Sequence, residues 1–359
     1  MRILILANSS SGVYSFRKEL IEELLRKNEI FIVTPDSGKC ECLRILGCKV
    51  INVSMDRRGI NPLKDIKLIQ QLYLNIQIIQ PELVITYTIK PNIYGGIISR
   101  ILKIPYAVNI TGLGTAFQKE GFLKKAIIKM YKISCKKAKV VFFENSANKD
   151  IFLENKIILS DQACLLNGAG VNLDKYFLTE YPQGEITKFL FIGRVMAEKG
   201  INELLEAMKL LIKDGVKAEL HILGAYEEDY RDIMKEYEKK GWLYYHGFQK
   251  DIREFIQKAH CFVLPSWHEG MANTNLECAA SGRPVITSNI PGCREAVIDG
   301  ISGYLAESKD VDDLYYVMKK FTKLPYEERE QMGIEGRKHM EEYFDKKIVI
   351  RETVEGLYK

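Results

Sequence analysis

The 359-residue chain has a formal net charge of +5, with 47% apolar and 28% charged residues, which excludes a disordered chain and supplies material for two cores. So modest a charge gives no argument for nucleic acid, although residues 100–139 hold ten Lys or Arg against one acid, Glu120, a local excess of +9. Eight cysteines occur without any CxxC pair, several within apolar runs, so reduced cysteines and no zinc site are expected. No apolar run approaches the roughly 18 residues of a transmembrane helix. The opening run Arg2–Leu6 is too short for a signal-peptide core and reads as a first strand; a cytoplasmic protein is expected.

In chain order, β-branched runs predict strands at 3–7, 29–34, 49–53, 83–87, 106–110, 139–143 and 164–166, then at 189–192, 218–223, 243–246, 261–264, 284–287 and 303–305. Helical stretches separate them, the pattern of βαβ units with a parallel sheet covered on both faces. Each half reads as a doubly wound α/β domain. Around Pro182 and Gly184 the alternation stops and the stretch 176–187 reads as a linker, giving domains 1–183 and 184–339. Residues 340–359 form a helical pattern that offers Phe344, Ile348, Val354 and Leu357 for packing, either on its own domain or crossing back to the first. Ligands of such sheets bind beyond the carboxyl ends of the strands, and a cleft between two such domains would hold one substrate from each side.

In the first domain the turn Asn8-Ser9-Ser10-Ser11-Gly12 precedes a helix and is suited to an anion, though it is no GxGxxG fingerprint. The loop Thr111-Gly112-Leu113-Gly114 also follows a strand. Residues 121–139 have helical period, with Phe122, Ala126, Met130 and Ile133 on one side and Lys125, Lys129, Lys132, Lys136 and Lys139 on the other. Such a helix can lie against anionic lipid headgroups or simply present a solvated face. All five histidines fall in the second half, leaving the first domain without a histidine base.

The chemistry concentrates in the second half. After the strand at 189–192 come Gly193-Arg194 and Glu198-Lys199-Gly200: two cations at a strand end, suited to clamping a diphosphate leaving group. The competing reading is a surface ion pair of either cation with Glu198. After the strand at 261–264 the chain reads Pro265-Ser266-Trp267-His268-Glu269-Gly270-Met271-Ala272-Asn273-Thr274-Asn275-Leu276-Glu277. Glu269 lies in the loop and has no evident structural task. A helix beginning at Asn273 or Thr274 would aim free amides at a ligand. Glu277, one turn in, could bind ribose hydroxyls, or close a capping box with Thr274 and need no ligand. Trp267 reads as a lid on the core, and the glycines at 282, 292, 300 and 303 as turn punctuation.

At Gly193-Arg194 with Lys199-Gly200, and at Glu269-x7-Glu277 with Gly282-x-Pro284, the chain resembles the retaining glycosyltransferases of the GT-B fold, family 4. Within that family it is similar to bacterial enzymes of capsule, O-antigen or protein-glycan assembly, through Ser11-Gly12-Val13-Tyr14-Ser15-Phe16-Arg17, Tyr87-Thr88-Ile89-Lys90-Pro91-Asn92 and Asn109-Ile110-Thr111-Gly112-Leu113-Gly114. The resemblance implies two Rossmann-like domains flanking a cleft, a UDP-sugar as donor substrate rather than any cofactor, and a polyprenyl-diphosphate-linked saccharide as acceptor. The sugar moved would be an N-acetylhexosamine or a relative of one. It also implies that Arg194 and Lys199 bind the donor diphosphate, Glu277 the ribose and Glu269 the sugar hydroxyls, that Gly270 to Thr274 (with Met271, Ala272 and Asn273) lend backbone amides, and that Gly12 lies near the donor phosphates. Such enzymes retain anomeric configuration without a metal; the one DxD, Asp310-Val311-Asp312, sits at a helix start. Where many relatives carry a histidine after the fifth strand, this chain has Thr111-Gly112. With Lys125, Lys129, Lys132 and Lys136 against anionic lipid, the expected place is the inner face of the cytoplasmic membrane. The competing expectations are a nucleotide-sugar epimerase or hydrolase of the same fold, and a catalytically silent partner subunit.

Overall fold

The computed structural model describes residues 1–56, 61–114, 117 and 121–359. The chain forms two compact units, Met1–Ala169 with Val349–Lys359, and Gly170–Ile348. In the first, strands β1 (Arg2–Leu6), β2 (Glu29–Thr34), β3 (Lys49–Asn52), β4 (Leu83–Tyr87), β5 (Tyr106–Ile110), β6 (Val140–Phe143) and β7 (Ala163–Leu165) make a parallel sheet in the order 3-2-1-4-5-6-7. In the second, β8 (Thr187–Ile192), β9 (Ala218–Leu223), β10 (Leu243–Tyr245), β11 (Cys261–Leu264), β12 (Val285–Ser288) and β13 (Gly303–Ala306) are ordered 10-9-8-11-12-13. All the expected strands form, with ends displaced by a residue or two. They were legible because a parallel sheet buried on both faces must be apolar at consecutive positions: β4, β5, β6, β11 and β12 are buried throughout.

Both sheets reverse direction of growth once. In the second the reversal lies between β8 and β11, which pair directly, Cys261 opposite Phe189 and Phe262 opposite Leu190. The loops leaving these strands therefore diverge beside one another, the usual place for a ligand in a doubly wound sheet. One face of the first sheet is covered by the helices Pro62–Ile79, Gly96–Ile101 and Phe122–Cys135, which bury Leu72, Ile98 and Tyr131 against it. The other face is covered by Ser10–Leu25 and by Val349 and Leu357 of the last helix, Lys346–Tyr358. Burying each such side chain contributes about 1.5–3 kcal/mol.

The division of the chain differs from the expected one. It falls between Ala169 and Gly170 rather than near Gly184, because the stretch 176–187 is not a free linker. Tyr181 Oη donates to the His260 carbonyl at 2.8 Å, and Arg283 donates to Thr179 Oγ1 at 2.6 Å and to the Glu180 carbonyl at 2.7 Å. Arg283 is wholly buried, and burial lowers its pKa to about 10; backbone oxygens, including that of Ile256 at 2.9 Å, take the place of water around the guanidinium. The sequence showed Pro and Gly there but not a buried cation gathering carbonyls. The second unit extends to Ile348, past the expected end at 339.

Candidate active site

The turn after β8 is built by a glycine that sequence reading passed over. Pairing with β9 continues beyond the strand, Gly193 N donating to the Leu223 carbonyl and Val195 N to that of Ala225, each at 2.9 Å. Gly224, at φ +145°, backs this turn so closely that a Cβ there would stand 1.7 Å from the Gly193 carbonyl oxygen. The turn delivers Arg194 to the surface, its Nη1 3.3 Å from Glu227 Oε1. The next turn, Ala197–Lys199, ends at Gly200, whose φ of +71° and approach to Pro265, where a Cβ would lie 2.0 Å from the carbonyl oxygen, admit no side chain. Gly200 thus clamps the first loop against the second.

That contact sets the central pair. The Lys199 ammonium bonds Glu269 Oε1, and the Ser266 hydroxyl donates to the same oxygen at 2.9 Å. Both charged side chains are largely enclosed, at 19% and 13% exposure, so water screens them little. The expected competitor, an ion pair with Glu198, does not form: Arg194 faces Glu227, Lys199 faces Glu269, and Glu198 lies 3.4 Å from His268 Nε2.

Trp267 is a fastener rather than a lid on the core. Its amide donates to the Glu198 carbonyl and its indole to Glu203 Oε1, both at 3.0 Å, while the Lys309 ammonium sits 4.5 Å above the ring. A second strap is Gly292, read in the sequence as punctuation only. At φ +86° it packs on the Glu269–Gly270 backbone, where a Cβ would lie 2.7 Å from the Gly270 oxygen, and its own carbonyl accepts from Ala272 N at 2.7 Å. Ala272 is therefore corrected as a donor of a free amide, since that amide is spent within the fold. The side chains of Met271 and Ala272 are buried, so only backbone groups there can meet a ligand.

The helix Asn273–Ala280 begins with Ala272 as its N-cap and has no side-chain cap. Thr274 lies inside the helix, so the capping box with Glu277 does not form and that explanation of Glu277 falls. Glu277 is half-buried and accepts a hydrogen bond from the Tyr176 phenol. Burial pushes its pKa up to about 7, with Tyr176, Lys175 and Lys346 pulling the other way. Burial beside this carboxylate drives the Tyr176 phenol well above its ordinary range, so it remains a donor. Its backbone is pinned by Arg337, whose Nη1 reaches the carbonyls of Tyr176 and Ala280 at 2.9 Å each. Tyr176 lies in the stretch read as a linker, and no local signal points to it.

In the first unit, Gly12 occupies the first turn of the helix Ser10–Leu25, and its amide donates to the N-cap Ser9 Oγ at 3.1 Å, so this amide too is engaged. A Cβ at Gly12 would meet only Ser9 at 3.6 Å, an ordinary contact. Beyond β4 and β6 the Arg17 guanidinium pairs with Glu144 and lies 5.0 Å over the Tyr87 ring, with the ion pair almost enclosed. Next to it Thr88 holds φ +72°, a strained value for a β-branched residue. Asp310 of the DxD caps the helix Val311–Thr322, accepting from Asp313 N at 3.0 Å. The helix Phe122–Cys135 is phased differently from expectation. It buries Ile127, Tyr131, Ser134 and Cys135, while Phe122 and Ile133 share the exposed side with the lysines. No helix of the described residues is long and apolar enough to cross a membrane.

A family profile described as glycosyl transferases group 1 matches residues 181–339, and one described as glycosyl transferase 4-like matches residues 2–145. The N,N'-diacetylbacillosaminyl-diphospho-undecaprenol alpha-1,3-N-acetylgalactosaminyltransferase of Campylobacter jejuni is 30% identical over 88% of this chain and 87% of its own length. The chain belongs to the group 1 glycosyltransferases. This glycosyltransferase is also 27% identical to the capsular polysaccharide biosynthesis glycosyltransferase CapM of Staphylococcus aureus, over 94% of the chain and 92% of the relative. Its fold is GT-B: HepE of Anabaena, solved in complex with UDP and glucose, superposes with a TM-score of 0.82 at 14% identity, covering 100% of this chain and 99% of that one.

Proposed function

We propose that the enzyme transfers a sugar from a UDP-sugar to a polyprenyl-diphosphate-linked saccharide at the inner face of a bacterial membrane, with retention at the anomeric carbon. The undecaprenyl-diphosphate acceptors named for the Campylobacter jejuni relative and for an Escherichia coli alpha-1,3-galactosyltransferase that is 26% identical support the acceptor class. The observation that carries the donor reading is the Lys199–Glu269 pair, brought together from the ends of two adjacent strands.

Arg194 and Lys199 would meet the donor diphosphate and balance the charge that grows on UDP as the glycosidic bond breaks, a stabilisation worth most where water is excluded. Glu269, held by Lys199 and Ser266, would accept hydrogen bonds from sugar hydroxyls. Glu277 would accept from ribose, gaining a donor in place of lost solvation. Backbone groups of Gly270, Met271, Asn273 and Thr274 would face the sugar and phosphates. Nothing within its own unit requires a glycine at position 12, which fits close approach of a ligand there. Lys125, Lys129 and Lys132 of the helix Phe122–Cys135, with Lys136 at its C-cap, would draw the enzyme to anionic lipid.

The test is calorimetry with a panel of UDP-sugars, followed by incubation of the bound donor with and without a short polyprenyl-diphosphate saccharide. Transfer that depends on acceptor, with the product anomer matching the donor, is the expected result. Free sugar released at the same rate without acceptor would favour the hydrolase reading instead.

A further inference from the structure

Behind the loop that carries Glu269, two polar side chains interrupt the apolar core of the second unit. Asn275, on the helix Asn273–Ala280, and Thr287, on β12, are both wholly buried. Asparagine is a poor helix former and a polar group is costly to bury, so apolar residues would serve packing alone better. The Asn275 amide nitrogen donates to Thr287 Oγ1 at 3.1 Å and to the Cys293 carbonyl at 3.4 Å, and Thr287 Oγ1 donates in turn to the Leu264 carbonyl at 2.8 Å. Chemistry fixes these directions: both carbonyls can only accept, so the hydroxyl proton goes to Leu264 and the amide must turn its nitrogen toward the other two. Its Oδ1 has no partner among the described residues. The side chain is thus placed for the carbonyl and hydroxyl it reaches, not for its own satisfaction.

The two carbonyls lie at the two supports of Glu269. Leu264 ends β11, where the chain leaves the sheet for Pro265, Ser266 and Glu269. Cys293 follows Gly292, whose backbone packs on the Glu269–Gly270 peptide and whose carbonyl holds the Ala272 amide. One buried amide therefore joins the root of the Glu269 loop to the strap that closes on it. The Cys293 thiol lies in the same place: burial pushes its pKa far above the ordinary range, the Glu269 charge adds to this, and the Thr287 hydroxyl and Lys199 oppose it. We propose that Asn275 and Thr287 are positioning residues for Glu269, fixing the β11 exit against the Gly292 strap so that the carboxylate meets the donor sugar in one orientation. This rests on Glu269 as the sugar ligand and extends it: recognition of the sugar, as distinct from UDP, depends on two side chains too deeply buried to touch the donor. A misplacement of about 1 Å from so remote a change can cost about a hundredfold in rate.

The experiment separates the hydroxyl from the bulk that carries it. Thr287→Val keeps the shape and removes the hydroxyl, Thr287→Ser keeps the hydroxyl and removes a methyl, and Asn275→Leu puts an apolar group of like shape in place of the amide. For each, with Glu269→Gln as the reference, calorimetry on the folded full chain gives the affinity for UDP and for the UDP-sugar that the native chain selects from the panel above, and the transfer assay gives kcat and KM. Thr287→Val and Asn275→Leu are expected to weaken the UDP-sugar about tenfold and to lower kcat/KM about 10–100-fold, while UDP affinity stays within about twofold. Thr287→Ser is expected to recover both values to within about threefold of the native chain. Equal weakening of UDP and UDP-sugar, or Thr287→Val performing better than Thr287→Ser, is what packing alone produces and overturns the proposal. Where Glu269→Gln itself leaves the preference for UDP-sugar over UDP unchanged, the sugar-ligand reading falls and this inference with it. A loss of that preference in Glu269→Gln with native behaviour in Thr287→Val and Asn275→Leu overturns this inference alone.

Discussion

Beyond the carboxyl ends of β8 and β11, the charged groups are tied to backbone positions that only glycine can occupy: Gly224 behind Arg194, Gly200 behind Lys199 and Gly292 behind Glu269. Beyond β4 and β6 in the first unit the charge is instead held by side chains alone, Arg17 against Glu144 over Tyr87, next to a threonine at positive φ. One site is dictated by the chain path and the other by packing. The first kind tolerates almost no substitution at its glycines, whereas the second can be altered in recognition while the fold stays.

The sharpest way to break the comparison is at its centre. Lys199→Ala and Glu269→Gln are each expected to lower kcat/KM by about 10²–10³-fold, and the double variant to fall little further, since both remove one unit; additive losses would separate their roles. In the first unit, Glu144→Ala leaves an enclosed guanidinium unpaired, and chemical denaturation should show a loss of about 3–5 kcal/mol with UDP affinity unchanged in the folded protein. Gly224→Ala forces a Cβ into the Gly193 carbonyl; about 2–4 kcal/mol of stability should be lost, with weaker UDP binding by calorimetry. A normal melting curve for this variant would show that the turn relaxes freely.

Smaller effects test Tyr176. Removing its hydroxyl by Tyr176→Phe takes away a contact that lowers the Glu277 pKa, so the pH at which donor affinity rises should move upward and binding at neutral pH weaken by about fivefold. Because the Glu277 pKa in the fold, about 7, lies above the 4.5 of an unperturbed side chain, the unliganded protein should lose stability as pH rises from 4.5 through 7. Glu277→Gln should flatten that part of the melting profile. Least of all, Thr88→Gly should raise stability by up to about 1 kcal/mol by relieving the positive φ.

What the sequence made legible follows the same line. Strands stood out because burial on both faces leaves only apolar residues, whereas the pairing of Lys199 with Glu269 was not foreseen: the local pattern offered Glu198, and Glu269 reaches Lys199 because their loops leave neighbouring strands. Tyr176, Gly224 and Gly292 were hidden, because each acts on residues remote in the chain and carries no local pattern. The capping box failed for a related reason: Gly292 holds Ala272 where the helix starts, so Thr274 stands two residues past the cap position. In the helix Phe122–Cys135 the period was readable but its phase was not, since an apolar side chain facing outward looks the same in sequence as one facing in.

Residues Val349–Lys359 group with the first unit although they follow the second in the chain. Gly356 of this tail lies so close to Phe142 that a Cβ would stand 2.9 Å from the ring, and Leu357 is buried in the same cluster as Ile5 and Ile85. The second unit is thus a single uninterrupted segment, an insertion within the first, and can be excised as one piece. The first cannot: residues 1–169 made alone would lack the tail that packs beside the helix Ser10–Leu25 on Ile5, Ile85 and Phe142, and a nascent first unit completes its core only once Val349–Leu357 has followed the second unit.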